Sequence, residues 1–361
     1  MSFKRMVIEE WFDKYQFDRD YDIGESGLKY FTLGDLEVDL SKVALRYGHH
    51  RGSPEFRELI ASQSPDLHSN QVCVTSGASE AIFAIITSLV GPKDHMIVEF
   101  PNYPSLYHVP SLLDRDYSLF PLKFEENFRP NLNSLFKLVR PQTRLICVTH
   151  PNNPTGSVLT NIELEELIKF SEKKGIFLLV DETYRELAFD EMPSLAASLS
   201  TNAISITSMS KSFGIPGIRI GWAIANKEII DSVCAIREQV TICNSALGEQ
   251  IAFYVLQRKE QFLKTIREKV KSNYQILRTW MEKRKDLEWI PPQGGVVAFP
   301  RLVRDKSSNE LCRLLIEKYR TFVVPGYCFE MPRYFRVGFG GERSELEAGL
   351  EKLDRALKEW Q

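Results

Sequence analysis

One lysine, Lys211, sits where a merely solvated charge would be out of place. The run Ser208-Met209-Ser210-Lys211-Ser212-Phe213-Gly214 puts its amine among hydroxyl and apolar residues, between a strand-like stretch and a glycine turn. A lysine with a lowered pKa attacks carbonyls and forms a Schiff base. Taken alone, a lysine is more often a surface charge. Arg219 follows in Pro216-Gly217-Ile218-Arg219, within reach of an anion near Lys211. In Val180-Asp181-Glu182-Thr183-Tyr184 a carboxylate ends the apolar run FLLV, which places it near a sheet interior. Burying a carboxylate without a partner is costly. A cationic partner such as a protonated ring nitrogen would remove that cost, and capping the next turn is the plainer alternative.

Two loops complete the set. Thr75-Ser76-Gly77-Ala78-Ser79 lies between a strand and a helix, where small residues leave backbone N–H groups and hydroxyls open to a phosphate. The same residues would serve as an ordinary N-cap. His150-Pro151-Asn152-Asn153-Pro154-Thr155-Gly156 follows a strand directly, and its prolines make it rigid. Open α/β sheets place ligands at such strand ends. Jointly the four sites offer an amine, an acid, polar donors and an anion cradle. These match an aldehyde, a pyridine nitrogen, a phenolic oxygen and a phosphate, the groups of pyridoxal 5′-phosphate.

The elements that must position these groups alternate along the chain. Strand-like runs at 71–75, 95–99, 144–149, 176–181, 203–208 and 219–225 are separated by helical stretches, among them 79–90 and 161–174. Short apolar runs with helices between them predict an α/β fold, a mostly parallel sheet covered by helices on both faces. A long helix is expected over 259–284, with apolar residues at Phe262, Ile266, Val270, Tyr274, Leu277 and Met281, ending before Pro291-Pro292-Gln293-Gly294-Gly295. Short strands and helices at 309–319 and from Ser344 onward follow, which suggests a smaller α+β domain. The expected division is an N-terminal segment 1–47 packing on the small domain, a large cofactor domain 48–255, and a small domain 256–361.

Composition narrows the function classes. Hydrophobic residues at 43% and charged residues at 26% exclude a disordered or fibrous chain. A net charge of −2 carries no global footprint for nucleic acid. No apolar run is long enough for a bilayer, and MSFKRMVIEEWFDKY has no apolar core of a signal peptide, so a cytoplasmic location is expected. The six cysteines form no CxxC pair, and several lie in apolar runs, as buried reduced thiols do. The six histidines, including the pair His49–His50, show no zinc-ligand spacing, and the pair reads first as a solvated turn.

SMSKSFGIPGIRIGW, NNPTG and VDETY, in this chain, resemble the motifs of the class I/II aminotransferases, pyridoxal-phosphate enzymes of fold type I. The resemblance runs from about Tyr47 to the C-terminus. It implies that Lys211 is the Schiff-base lysine and Asp181 the partner of the ring nitrogen. Asn153 and Tyr184 are then donors to the phenolic oxygen, and Ser208, Arg219, Gly77, Ala78 and Ser79 hold the phosphate. Tyr103, in PNYPSL, is similar to the residue that stacks on the ring. Arg336, in YFRVGFG, is similar to the arginine that grips the substrate carboxylate, with Asn153 beside it. Tyr47 is similar to the tyrosine that reaches a neighbouring subunit's phosphate, which implies a homodimer. The implied substrates are an amino acid and a 2-oxo acid, with no nucleic acid or membrane partner and no metal.

Three segments depart from the generic pattern. DIGESGLKYFTLGDL (22–36), PPQGGVVAFPRL (291–302) and VVPGYCFE (323–330) are more similar to the capreomycidine-synthase branch, whose members cyclise a hydroxylated arginine. Transamination is therefore the leading expectation, with a lyase or cyclase acting at Cβ as the alternative. A non-catalytic cofactor sensor would need a DNA-binding module, and the residues before Tyr47 are neither basic nor a helix-turn-helix pattern.

Overall fold

The computed structural model describes residues 4–360. At its centre is a seven-stranded sheet in the order Val72–Thr75, Gly221–Ile224, Ala203–Ser208, Phe177–Asp181, Thr143–Thr149, His95–Phe100, Asp116–Pro121. Only Gly221–Ile224 runs against its neighbours; the remaining pairings in the sheet are parallel. The two faces separate cleanly by alternation along the strands. Ile97, Ile146, Val148, Leu178 and Val180 enter one apolar cluster, while Met96, Val98, Leu145, Cys147 and Leu179 enter another. Helix Asn161–Lys174 covers the first face through Leu164, Leu167 and Ile168, and helices Ala78–Leu89 and Lys227–Glu238 cover the second. Burial on both faces explains why these strands read as unbroken apolar runs.

Local signals set the boundaries. Helix Asn161–Lys174 starts at a capping box between Thr160 and Glu163 and stops at Gly175 in the left-handed region. The expected strand 219–225 is shorter than the sequence suggests. Arg219 has φ 53° at the end of the 3₁₀ turn Pro216–Ile218, a conformation that no strand accommodates. The long helix ends at Met281, the last of its periodic apolar residues and short of the expected boundary at 284, and it is Asn273 rather than Tyr274 that is buried on its inner face. Asn273 donates to the carbonyls of Phe339 (2.9 Å) and Gly341 (3.0 Å), which satisfies its amide nitrogen inside while its Oδ1 has no partner.

The smaller domain holds a three-stranded antiparallel sheet, Val297–Ala298, Phe335–Gly338 and Val324–Pro325. The N-terminal strand Tyr21–Asp22 pairs in parallel with Thr321–Phe322, and Trp11 Nε1 donates to the Val323 carbonyl at 2.8 Å. These contacts carry residues 23–31 across the end of the central sheet. Among the described residues no helix is long and apolar enough to cross a membrane.

Candidate active site

The chemistry-bearing residues collect at one edge of the sheet. Thr75, Phe100, Thr149, Asp181 and Ser208 each end a strand there, the carboxyl edge where open α/β sheets bind ligands. Just outside lies a cavity of about 320 Å³. Lys211, Asp181, Asn153, Tyr184, Tyr103 and Ser208 line it, as do Ala78, Ser79, Arg219 and Arg336. Two expected residues stand outside the lining. Gly77 braces the wall from behind: its φ is +80°, and a Cβ there would lie 2.6 Å from Arg219 Nη2. Tyr47 is 81% exposed on the surface. His49 and His50 are also exposed and line a separate surface depression, with His50 Nδ1 2.7 Å from Glu238 Oε1.

The cradle end is built by close packing. A Cβ at Gly221 would sit 2.6 Å from the Thr207 carbonyl and 2.7 Å from the Gly77 carbonyl carbon, so glycine lets the 75–78 turn rest on the strands. Helix Ala78–Leu89 begins there with no side chain capping its first turn. Arg219 donates to the Pro216 carbonyl at 3.0 Å and lies 3.4 Å from that of Ser76. The free N–H groups, the helix dipole and this guanidinium together favour an anion.

Asp181 closes the opposite end. It is buried, and burial pushes its carboxyl above the ordinary value, offset in part by the hydrogen bond at 3.0 Å from the Thr183 N–H. A cation brought into the cavity would reverse that shift. Thr149, beside it, is pinned from behind by Glu99. The Glu99 carboxylate accepts from the Thr149 N–H at 2.9 Å and the Asn152 amide at 3.0 Å. Glu99 is buried, which raises its pKa to about 7.

Arg336 is buried in the cavity wall. Its Nε and Nη2 donate to the Gly24 carbonyl at 3.2 and 2.9 Å, and its Nη1 donates to Asn153 Oδ1 at 3.1 Å. None of these acceptors is an anion, so the guanidinium charge is available to a carboxylate. Asn153 here orients the arginine through its oxygen, which leaves its amide nitrogen as the donor. Tyr184 Oη donates to the Ser26 carbonyl at 2.6 Å.

Lys211 departs from expectation. Desolvation lowers its pKa, but the Glu25 carboxylate outweighs burial, with Tyr184 in support, and the amine is held above its usual range. Its Nζ lies 2.9 Å from Glu25 Oε1 and donates to Ser26 Oγ at 2.9 Å. Glu25 and Ser26 come from the 22–36 segment, which departs from the generic pattern and holds none of the expected site residues. Phe12, Gln16 and Tyr30 also line the cavity from the N-terminal region. No motif signals them; the glycine-punctuated run Gly24-Glu25-Ser26-Gly27 is the one pointer available.

The residues fit pyridoxal phosphate on the structure's own terms: an uncapped helix start beside an arginine, a buried carboxylate short of a cation, and a lysine between them. A seven-stranded sheet bearing this set at its carboxyl edge, with a smaller domain beside it, is the fold type I architecture. A profile of the aminotransferase class I and II family matches residues 35–353, and the chain belongs to that family. It is 28% identical over 361 residues to a capreomycidine synthase from Streptomyces vinaceus, covering 97% of this chain and 93% of that protein. A crystal structure of a PLP-dependent aminotransferase from Streptococcus suis superposes with a TM-score of 0.95 at 30% identity, over 100% of this chain and 99% of the other. That of the PLP-dependent cyclase OrfR superposes with a TM-score of 0.93 at 28% identity, over 100% and 99% of the two chains. Homology thus extends into the capreomycidine-synthase branch.

Proposed function

We propose that this protein is a pyridoxal-phosphate-dependent aminotransferase that moves an amino group between an amino acid and a 2-oxo acid, using Lys211 as its Schiff-base residue. The observation that carries this reading is the convergence of Lys211, Asp181, Asn153, Arg219 and Arg336 on one cavity. When bound, the cofactor supplies an electron sink for the substrate Cα. Ala78, Ser79, Ser208 and Arg219 would hold its phosphate, Asp181 would keep the proton on its ring nitrogen, and Tyr103 would offer its ring an apolar surface. Asn153 would donate to its phenolic oxygen, and Tyr184 would do so once its hydroxyl leaves the Ser26 carbonyl. Arg336 grips the substrate carboxylate and fixes its orientation. Lys211 takes the proton from Cα as general base. The division at residues 47 and 255 and a homodimeric assembly with Tyr47 at the partner's site belong to the same proposal.

A lyase or cyclase acting at Cβ is the second reading, favoured by the similarity to capreomycidine synthase and the OrfR cyclase. Both readings share the cofactor residues. The deciding experiment is a single turnover of the loaded enzyme with a panel of amino acids and no 2-oxo acid. One keto acid released per site, with the cofactor left in its amine form, supports transamination. Continuing release of ammonia or of a cyclic product assigns the Cβ chemistry instead. Borohydride treatment and peptide mapping should find the cofactor on Lys211, and an adduct elsewhere overturns both.

A further inference from the structure

Of the charged groups lining the cavity, Glu9 and Glu25 have no place in the chemistry above, and Glu25 is the one at hydrogen-bond distance from Lys211. Its side chain is 18% exposed, and its Oε1 lies 2.9 Å from Lys211 Nζ, the atom assigned to attack and to move protons. The carboxylate is itself well anchored. Oε1 accepts from the Ser26 N–H at 2.8 Å, and Oε2 accepts from Gln16 Nε2 at 3.2 Å. Ser26 joins the same unit, because its hydroxyl accepts from Lys211 and its carbonyl accepts from Tyr184.

We propose that Glu25 is a catalytic residue, the counter-ion that holds the proton on Lys211 after Lys211 has taken it from the substrate Cα. The inference rests on the assignment of Lys211 as the base. In that step the Cα–H bond breaks, an N–H bond forms at Nζ, and Cα keeps the electron pair. An ammonium thereby appears in a cavity that already holds the Arg336 guanidinium. Like charges at close range oppose each other, and burial opposes both. A carboxylate in hydrogen-bond contact with the new ammonium offsets this and makes Lys211 a stronger base. Ser26 Oγ gives the ammonium a second acceptor.

The other charged and titratable groups facing this pair are few. Arg336 acts against the Lys211 cation, Tyr184 acts for it, and Tyr30 and Asp22 bear on Glu25 from its own segment. Burial raises the Glu25 pKa, but Lys211 and then Arg336 outweigh it and bring it down to about 2. Its contact with Nζ, anchored by the Ser26 N–H and Gln16, fits charge compensation as its role. The arrangement has a cost. In the cofactor-free protein, Glu25 keeps Lys211 as an ammonium, and an ammonium does not attack an aldehyde.

Two measurements with opposite signs test this. Removing an opposite charge at contact distance lowers a lysine pKa by about 1–3 units. Cofactor-free Glu25→Gln should therefore load pyridoxal phosphate onto Lys211, read by borohydride trapping at pH 7, at least about tenfold faster than wild type. In the loaded enzyme, the same substitution should slow exchange of the substrate Cα proton into deuterated water about tenfold or more, with little change in KM. The amino acid for that assay is whichever of the twenty exchanges fastest in wild type. Glu25→Asp keeps the charge and should recover part of both effects. Unchanged loading or unchanged exchange in Glu25→Gln overturns the proposal while leaving the cofactor assignment standing. A wild-type protein that traps no cofactor on Lys211 overturns the assignment and the proposal together.

Discussion

At the scale of single residues, the site holds charges that lack the partner a ligand would bring, Lys211 with its Glu25 counter-ion excepted. Asp181 shows this most directly. Burial raises its pKa, so above the ordinary carboxylate range its ionised form costs folding stability that a neutral amide would not. Asp181→Asn should therefore leave the cofactor-free protein at least as heat-stable as wild type. The same variant should lose about 1.5–3 kcal/mol of cofactor binding, the scale of a charge-assisted hydrogen bond. Turnover should fall further, because the ring nitrogen then loses its proton. Thermal melts with and without pyridoxal phosphate, and a fluorescence titration, check all three. An Asp181→Asn protein that melts lower without cofactor yet binds it normally would make Asp181 a structural residue.

At the scale of elements, strand ends and the turns after them do the positioning. The turn after His95–Phe100 carries Tyr103, and the loop after Thr143–Thr149 carries Asn153. Glu99 joins the two through Thr149, Asn152 and Asn102, whose amide lies 3.3 Å from its Oε2. Its folded pKa of about 7 lies above the unfolded value of 4.5. Between those values the folded state binds the extra proton, so stability falls as pH rises through the window. Glu99→Gln keeps an acceptor for Thr149 and removes the titration. Its stability should vary less between pH 5 and 8 and exceed that of wild type at pH 8 by about 1–3 kcal/mol. Glu182, also raised to about 7 by burial, retains a slope of the same sign in the variant. Urea denaturation of the cofactor-free proteins across this range is the measurement, and parallel wild-type and variant curves would refute the account.

At the scale of the whole molecule, large apolar side chains stand exposed on two segments of the surface. Leu45 and Tyr47 are 82% and 81% exposed, and Val240 is 65% exposed. The two segments are held together by His50 with Glu238 and by Arg51 with Asp231. A second copy related by a two-fold axis would cover them and bring Tyr47 toward the partner's phosphate cradle. Sedimentation at micromolar concentration should give twice the mass of the 361-residue chain. Tyr47→Ala should weaken cofactor binding severalfold even where the dimer persists. A stable and fully active monomer would refute the assembly.

Residues whose neighbours in sequence are also their neighbours in space were legible from the chain alone. Lys211, Asp181, Asn153, Arg219 and the 75–79 turn each sit in a contiguous motif, so residue types and order pointed to an amine, an acid and an anion cradle. Helix Asn161–Lys174 and strand Ala203–Ser208 were equally plain, because apolar periodicity and caps are local. Edge strand Asp116–Pro121 was not, since its exposed and half-buried residues give no apolar run. Helices Lys227–Glu238 and Ala246–Gln257 also went unread. The direction of the Lys211 pKa shift is not legible in its motif. Lysine in an apolar motif predicts a lowered pKa, yet Glu25 approaches from 186 residues away in the chain and raises it. Folding brings that carboxylate in by pairing Tyr21–Asp22 with Thr321–Phe322 and laying the next turn over the cavity. A motif reports which atoms do the chemistry. The field those atoms feel comes from groups with no sequence relation to it, because Coulomb interactions depend on distance in space and on burial.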